Sequence, residues 1–258
     1  MSLLFEQELA AIDFETTGLF PEKGDRAIEV AVVRGRYGET PTTWSTLLDP
    51  GRPVDASEIH GITDEMLRGQ PRFIERAPAL SRMLSGSVPV AHNARFDESF
   101  LLLEYELAGL WAPEAPILDT LGLSRRVLAL SSHRLASICE HFDIGRGVAH
   151  RALDDAHATW QMAWRLLDLA DPTHQLTVED AHRMCRRPNT EEIRVLTLAL
   201  QESARQAVPV LIDYRRSDAQ PSRRSITVQR ILGSRVEAFC HLRGEDRVFR
   251  IDRISLVG

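Results

Sequence analysis

The sequence is poor in cysteine, almost without lysine, and free of long apolar runs. Its three cysteines (Cys139, Cys185 and Cys240) are odd in number and far apart. That excludes a disulfide framework and any C-x-x-C zinc site, and makes reduced thiols in a cytoplasmic setting the expectation. No stretch approaches the ~18 uninterrupted apolar residues that a membrane helix needs, so no membrane partner is expected. The opening Met1-Ser2-Leu3-Leu4-Phe5-Glu6 has no basic region and soon turns acidic, which argues against a signal peptide. There is no internal repeat and no low-complexity tract. Lys23 is the one lysine among 31 basic residues, a bias that reflects genome base composition rather than mechanism.

What is present is the composition of a globular protein: 258 residues, 43% hydrophobic and 26% charged. The length suits one large domain, or a large one with a small companion. Charge is unevenly spread. From Val208 onward ten arginines face six acids, a local +4, so the rest of the chain carries −10 of the overall −6. An acidic body with a basic tail suits a metal-dependent site joined to a polyanion-facing appendage; a solvated surface is the plain alternative.

Residues 8–15 read as a strand, with the continuous apolar centre of a buried sheet position. Residues 27–36 and 42–48 read as two more, turned at Gly38 and Pro41. Thr63 is a candidate N-cap for a short helix at 64–67. Residues 73–84 have helical spacing and close at Gly86, and 88–91 form a fourth strand. Residues 94–110 then read as a helix with Phe96, Phe100, Leu101, Leu103 and Leu107 on one buried face. Helices follow at 119–130, 133–142 and 153–169, the last with Trp160 and Trp164 packed inward. Strands in series, then strands alternating with helices, argue an α/β fold with a mixed sheet. Residues 171–189 read as a polar connector with a short helical piece, and 190–206 as one more amphipathic helix. After Pro209 the pattern changes to short strands at 210–214, 225–231, 236–241 and 247–251, with turns at Gly233-Ser234 and Gly244-Glu245. The expected division is a catalytic domain at 1–172, a helical connector at 173–207 and a small all-β module at 208–258.

The chemistry lies in three separated segments. Asp13 and Glu15 stand two apart at the end of the first strand, so they share a face. Side by side, two carboxylates push each other toward the neutral form unless a cation lies between them. Hard divalent ions, Mg²⁺ or Mn²⁺, suit such oxygen ligands. Alone, though, D-x-E on a strand marks a solvated edge more often than a metal site. Asp97 falls in the first turn of the helix after His92 and Asn93, where an acid facing the helix dipole is the plain reading. His150 precedes Asp154 and Asp155 at the start of another helix; singly these are a surface histidine and capping acids.

Together and in order, Asp13-x-Glu15, the N-A-x-x-D run ending at Asp97, and the H-x-x-x-x-D run from His150 to Asp155 resemble the three motifs of the DEDDh 3′–5′ exonucleases. That family includes the proofreading epsilon subunit of bacterial replicative DNA polymerase. Ile59-His60-Gly61-Ile62-Thr63 is similar to the H-G-I loop between the first two motifs. The resemblance covers residues 8–170 and implies a ribonuclease H-like fold. It further implies that Asp13, Glu15 and Asp155 ligate two divalent ions, Mg²⁺ or Mn²⁺, with Asp13 between them and Asp97 on the second. His150 would be the general base, and the motif spacing selects Asp155 over Asp154. Thr16, Thr17 and Leu19 would meet the terminal nucleotide, His92 and Asn93 the sugar or phosphate, and His60 the base; ordinary turn chemistry accounts for these six as well. Asp119 reads as a helix cap. The implied reaction removes nucleoside 5′-monophosphates one at a time from DNA 3′ ends, chiefly single-stranded, in repair or proofreading, and so beside a polymerase or repair partner. RNA as the substrate is one alternative. A nucleic-acid- or nucleotide-binding regulator built on the same fold is another.

The tail, with A-x-C-x-x-R at Ala238–Arg243 and R-x-F-R-x-D-R-I at Arg247–Ile254, resembles a WYL domain, a small barrel-like β module of bacterial regulators. That resemblance implies a nucleotide or nucleic-acid ligand. Arg243, Arg247, Arg250 and Arg253, with Tyr214, Phe239 and Phe249, are groups of the kind that hold single strands. Alternating strand faces cannot present all of them outward. A purely structural cap is the equal alternative.

Overall fold

The computed structural model describes residues 2–54, 57–147, 150–185, 190–214, 222–233 and 235–256. The chain divides into two compact units, residues 1–124 with 132–185, and residues 125–131 with 186–258.

The first unit is built on a five-stranded sheet. Its elements in chain order are β1 (Leu9–Thr16), β2 (Ala27–Gly35), β3 (Thr42–Leu47), α1 (Ser57–His60), α2 (Asp64–Leu67), α3 (Phe73–Leu84) and β4 (Val88–Ala91). There follow α4 (Arg95–Leu107), β5 (Leu118–Asp119), α5 (Thr120–Val127, of which residues 120–124 belong to this unit), α6 (Leu135–Phe142), α7 (Ala152–Ala170) and α8 (Val178–Cys185). The strand order is β3-β2-β1-β4-β5, with β1 antiparallel to β2 and parallel to β4. This is the mixed α/β sheet that the element pattern called for.

β1 lies at the centre, and its two faces are served by different helices. Ala10, Ile12 and Phe14 join one buried cluster with Phe73 and Leu80 of α3 and Phe100 and Tyr105 of α4. By alternation Leu9, Ala11, Asp13 and Glu15 face the other way. There α7 packs along β1 and β2, and Trp160 lies against Gly35, the register partner of Leu9. The same alternation that buries β1 therefore delivers Asp13 and Glu15 to the face of α7.

Some details depart from the sequence reading. Leu107 is exposed rather than buried. The buried face of α4 centres on Asp97, Phe100, Leu101, Glu104 and Tyr105, and Leu107 lies on its flank in the last turn. Glu104 can be buried because Arg26 meets it through two hydrogen bonds, of 2.8 and 2.7 Å, and the Ala27 amide through a third of 3.0 Å. Thr63 occupies the N-cap of α2, but its side chain makes no capping bond; its carbonyl accepts the Met66 amide instead. Trp160 and Trp164 are core residues, as expected. Gly122 is required by packing: a Cβ there would sit 2.0 Å from the carbonyl oxygen of Cys185, at the end of α8.

The second unit is α9 (Thr190–Gln206) packed on an antiparallel sheet of β6 (Val210–Tyr214), β7 (Ser222–Leu232), β8 (Arg235–Cys240), β9 (Glu245–Arg250) and β10 (Ile254–Leu256). The order is β10-β6-β7-β8-β9, so β9 and β10 form its edges among the described residues. β10 was not foreseen. Leu196 and Leu200 of α9 share a core with Ile212, Val236 and Phe249. The stretch 173–207, read as a connector, is thus helical but serves both units: α8 closes the first and α9 fills the second. Its Pro188 and Asn189 lie outside the described residues, as does Ser234 of the β7–β8 turn. Among the described residues no helix is long and apolar enough to cross a membrane.

Candidate active site

The end of β1 meets the N-termini of two helices. Asp97, in the first turn of α4, accepts the Phe14 amide at 3.1 Å, which places it beside both Asp13 and Glu15. The first turn of α7 brings Asp155, and the residue just before α7's N-cap is His150. One ligand atom each from Glu15, His150 and Asp155 lie within 4.8 Å of one another. Asp154, by contrast, packs over Gly147, where a Cβ would sit 2.4 Å from its Oδ1. The five residues that the motifs single out therefore converge, and Asp155 rather than Asp154 faces the cluster.

The electrostatics follow from crowding. Burial pushes the Asp13 carboxyl well above its usual range, and the charges of Asp97, Glu15, Asp155 and Glu29 push it further. Burial also raises Asp97 to about 8, against the pull of the Phe14 amide. Glu15 rises to about 7, through burial first and then Asp155 and Glu29, with Arg151 pulling the other way. Carboxyls that hold protons near neutral pH mark negative charge without enough counter-charge. An oxygen-rich donor set in that condition fits hard divalent cations. One counter-charge is in place: the Arg146 Nη2 donates to Asp155 Oδ1 at 2.6 Å, while the His150 amide takes Oδ2 at 3.1 Å.

Beside the acids, the loop after β1 is tightly internally bonded. Thr16 donates its hydroxyl to the Gly18 carbonyl, and the Thr17 hydroxyl accepts the Arg26 amide. Asp25 accepts the Phe20 amide at 3.0 Å and lies so close to Gly18 that a Cβ would come within 2.3 Å of it. The folded loop leaves Leu19 67% exposed and Phe20 46% exposed. His60 is buried; its Nδ1 accepts the Ile62 amide, and its Nε2 has no hydrogen-bond partner among the described residues. Burial lowers its pKa, and the charges of Glu29 and His150 act on it, so it belongs to this neighbourhood. His92 has both ring nitrogens engaged inside the fold, with the Thr120 hydroxyl and the His133 carbonyl. Asn93 is exposed at a left-handed turn whose amide binds Asp119 Oδ1. That same Asp119 oxygen caps α5 through the Leu121 amide, as expected, and also fixes the turn.

The description "Exonuclease", of the RNase T family, matches residues 10–163. The chain belongs to that exonuclease family. Its four acids and His150 follow the DEDDh pattern. It is 37% identical over 167 residues to a PolC-type DNA polymerase III of Halalkalibacterium halodurans, a match covering 64% of this chain and 12% of that protein. It is 28% identical over 207 residues to the 3′–5′ exonuclease DinG of Bacillus subtilis, covering 79% of this chain and 22% of that one. The chain thus spans a small part of the curated relatives it matches. Among solved structures, exonuclease X in complex with 5′-overhanging duplex DNA superposes with a TM-score of 0.54 at 26% identity, over 69% of this chain and 99% of that chain.

Sequence reasoning missed several residues of this cluster. Glu29 is buried opposite Glu15, and its signal was a lone acid inside the apolar run of β2. Arg146 and Arg151, on either side of His150, carried no signal beyond their place near the third motif. In the second unit Tyr214 and Phe249 are corrected: both are buried, ring against ring at 4.8 Å, because their strand positions face α9. Phe239 is half-buried beside His241. Arg247 pairs with Glu245, Arg253 is half-buried, and Arg243 and Arg250 are exposed.

Proposed function

We propose that the chain is a metal-dependent 3′–5′ exonuclease that removes nucleoside 5′-monophosphates from DNA 3′ ends, preferably single-stranded, in proofreading or repair. The observation that carries this is the convergence of Asp13, Glu15, Asp97, His150 and Asp155, with the raised pKa values of Asp13, Glu15 and Asp97. Similarity to a PolC-type polymerase and to DinG supports the substrate and polarity.

Asp13, Glu15, Asp97 and Asp155 would hold two divalent ions, Mg²⁺ or Mn²⁺. Bound there, such ions acidify water and stabilise charge on a leaving oxygen of a phosphodiester. The chain's own residues do the rest. His150, exposed at the rim, takes a proton from the attacking water on its imidazole, a ring nitrogen being the usual side-chain acceptor for such a proton. Leu19 and the loop of Thr16 and Thr17 present an apolar surface to the terminal nucleotide, and His60 and Asn93 offer polar atoms nearby. His92 is left to hold the turn. For the second unit the proposal is a WYL-like module, residues 208–258, that adds contacts to the strand through exposed Arg243 and the open face bearing Phe239. Residues 1–172 would be the catalytic domain.

Chromatography of a digest of single-stranded DNA, with a matching RNA run in parallel, tests the reading. It expects nucleoside 5′-monophosphates to accumulate from the first time points, faster from DNA. Products carrying 3′-phosphates, or internal fragments first, would refute it, and faster release from RNA would change the substrate.

A further inference from the structure

In the β1–β2 register Glu29 stands directly opposite Glu15. Like charges facing each other across a strand pair repel, so Glu29 is a liability at that position unless something employs it. Its carboxylate is fully engaged. Oε1 accepts Arg151 Nη2 at 2.8 Å, and Oε2 accepts Arg151 Nε at 3.1 Å and the Ala152 amide at 3.0 Å. The guanidinium fork gives a planar, two-point contact, which fixes direction as well as distance.

Each of these contacts falls on the two residues after His150. Ala152 opens α7, where amides lack partners within the helix. The usual remedy is a short polar side chain at the N-cap, but here the N-cap is Arg151, whose side chain makes no capping bond. An N-cap serine would satisfy the amide while tying α7 only to its own loop. Glu29 instead ties it to β2, which keeps unbroken register with β1 from Leu9 to Glu15, the stretch carrying Asp13 and Glu15. His150 itself has φ +61°, a left-handed conformation that residues with a Cβ hold only when their surroundings impose it.

We propose that the Glu29–Arg151 pair is a positioning device: it indexes the start of α7, and with it His150 and Asp155, to the carboxylates of β1. Neither residue touches the reacting atoms. The inference rests on the exonuclease reading of the site, and it assigns a purpose to an acid that otherwise only adds to the repulsion on Glu15.

The test compares the native chain with Arg151→Ala, Arg151→Lys, Glu29→Gln and the double variant Glu29→Gln/Arg151→Ala. Reactions use saturating DNA and Mn²⁺, well below the melting temperature of each variant. Arg151→Ala should lower kcat by about 10- to 100-fold, the scale for groups that orient a site without entering it. KM should stay within about threefold. Lysine should restore only part of the loss, since it supplies charge without the fork. The double variant should be no slower than the worse single one, because the two residues act as a unit. A second readout needs neither metal nor turnover: the imidazole NMR signal of His150 should shift or broaden in Arg151→Ala, while that of His174 stays. A native chain that digests no DNA overturns the exonuclease reading. A native chain that digests DNA, with Arg151→Ala and Glu29→Gln keeping kcat within twofold, overturns the positioning role even if both melt earlier.

Discussion

The two units handle charge in opposite ways. At the end of β1, acids are gathered against acids, and Asp13, Glu15 and Asp97 respond by holding protons far above their ordinary range. In the second unit, charges are spread over surface pairs: Arg223 with Asp213 and Arg230 with Glu237 across strands, and Arg247 with Glu245 along one strand. The first arrangement weakens folding and calls for a cation from outside. In the second, each of these three arginines has an acid of its own. Net charge counted along the chain, −10 against +4, points in both cases to a charged surface and misses this difference. An arginine-rich segment becomes a polyanion-binding surface only where its arginines lack acids of their own.

The sharpest way to break the comparison is to remove one crowded acid. Asp97→Ala should abolish digestion, by about 10³-fold or more, the scale of losing one charge-organising group at a reaction centre. Circular dichroism should show the fold intact, because the substitution relieves repulsion on Asp13. Next, His150→Ala should lower kcat by roughly 10²- to 10⁴-fold while Mn²⁺ still binds, since its expected task is proton transfer.

The proton-holding acids also make stability depend on pH with an unusual sign. Glu15 and Asp97 move from ordinary values of 4.5 and 3.8 up to about 7 and 8 in the folded, metal-free chain. Between those limits the folded chain binds more protons than the unfolded one, so stability falls as pH rises. In EDTA the melting temperature should drop by several degrees from pH 5 to pH 8. Mn²⁺ should restore more at pH 8 than at pH 5, where protons compete for the same oxygens. A flat profile in EDTA would mean that the acids are not crowded. The smallest effects belong to the second unit. Arg247→Ala should cost under about 1 kcal/mol, as exposed pairs do. It should weaken single-strand binding less than Arg243→Ala, whose loss should be about threefold in low salt.

Much of this was legible in the sequence, for identifiable reasons. β1 shows as a buried strand because its apolar centre is unbroken, and the two-residue period puts Asp13 and Glu15 on one face. Asp97, His150 and Asp155 are legible only as an ordered set; each alone reads as a cap or a surface group. What was hidden depends on partners far away in the chain. Nothing near Glu29 announces Arg151, which lies 122 residues on, and nothing near Asp97 announces the Phe14 amide, 83 residues back. Leu107 has the right spacing for the core but sits on the flank of a face whose centre is set by buried Glu104 and its half-buried partner Arg26. Tyr214 and Phe249 looked like stacking platforms because strand alternation fixes which residues share a face, not which face α9 covers.

The central claim is that the crowded acids are a cation-dependent exonuclease site. The most direct test is a time course on 5′-labelled single-stranded DNA with Mg²⁺ or Mn²⁺, with EDTA, and with the metal restored after EDTA. The account predicts a ladder shortening one nucleotide at a time from the 3′ end, stopped by EDTA and recovered on re-addition. Digestion that continues unchanged in EDTA, or a strand that is bound but never shortened with metal present, would contradict it.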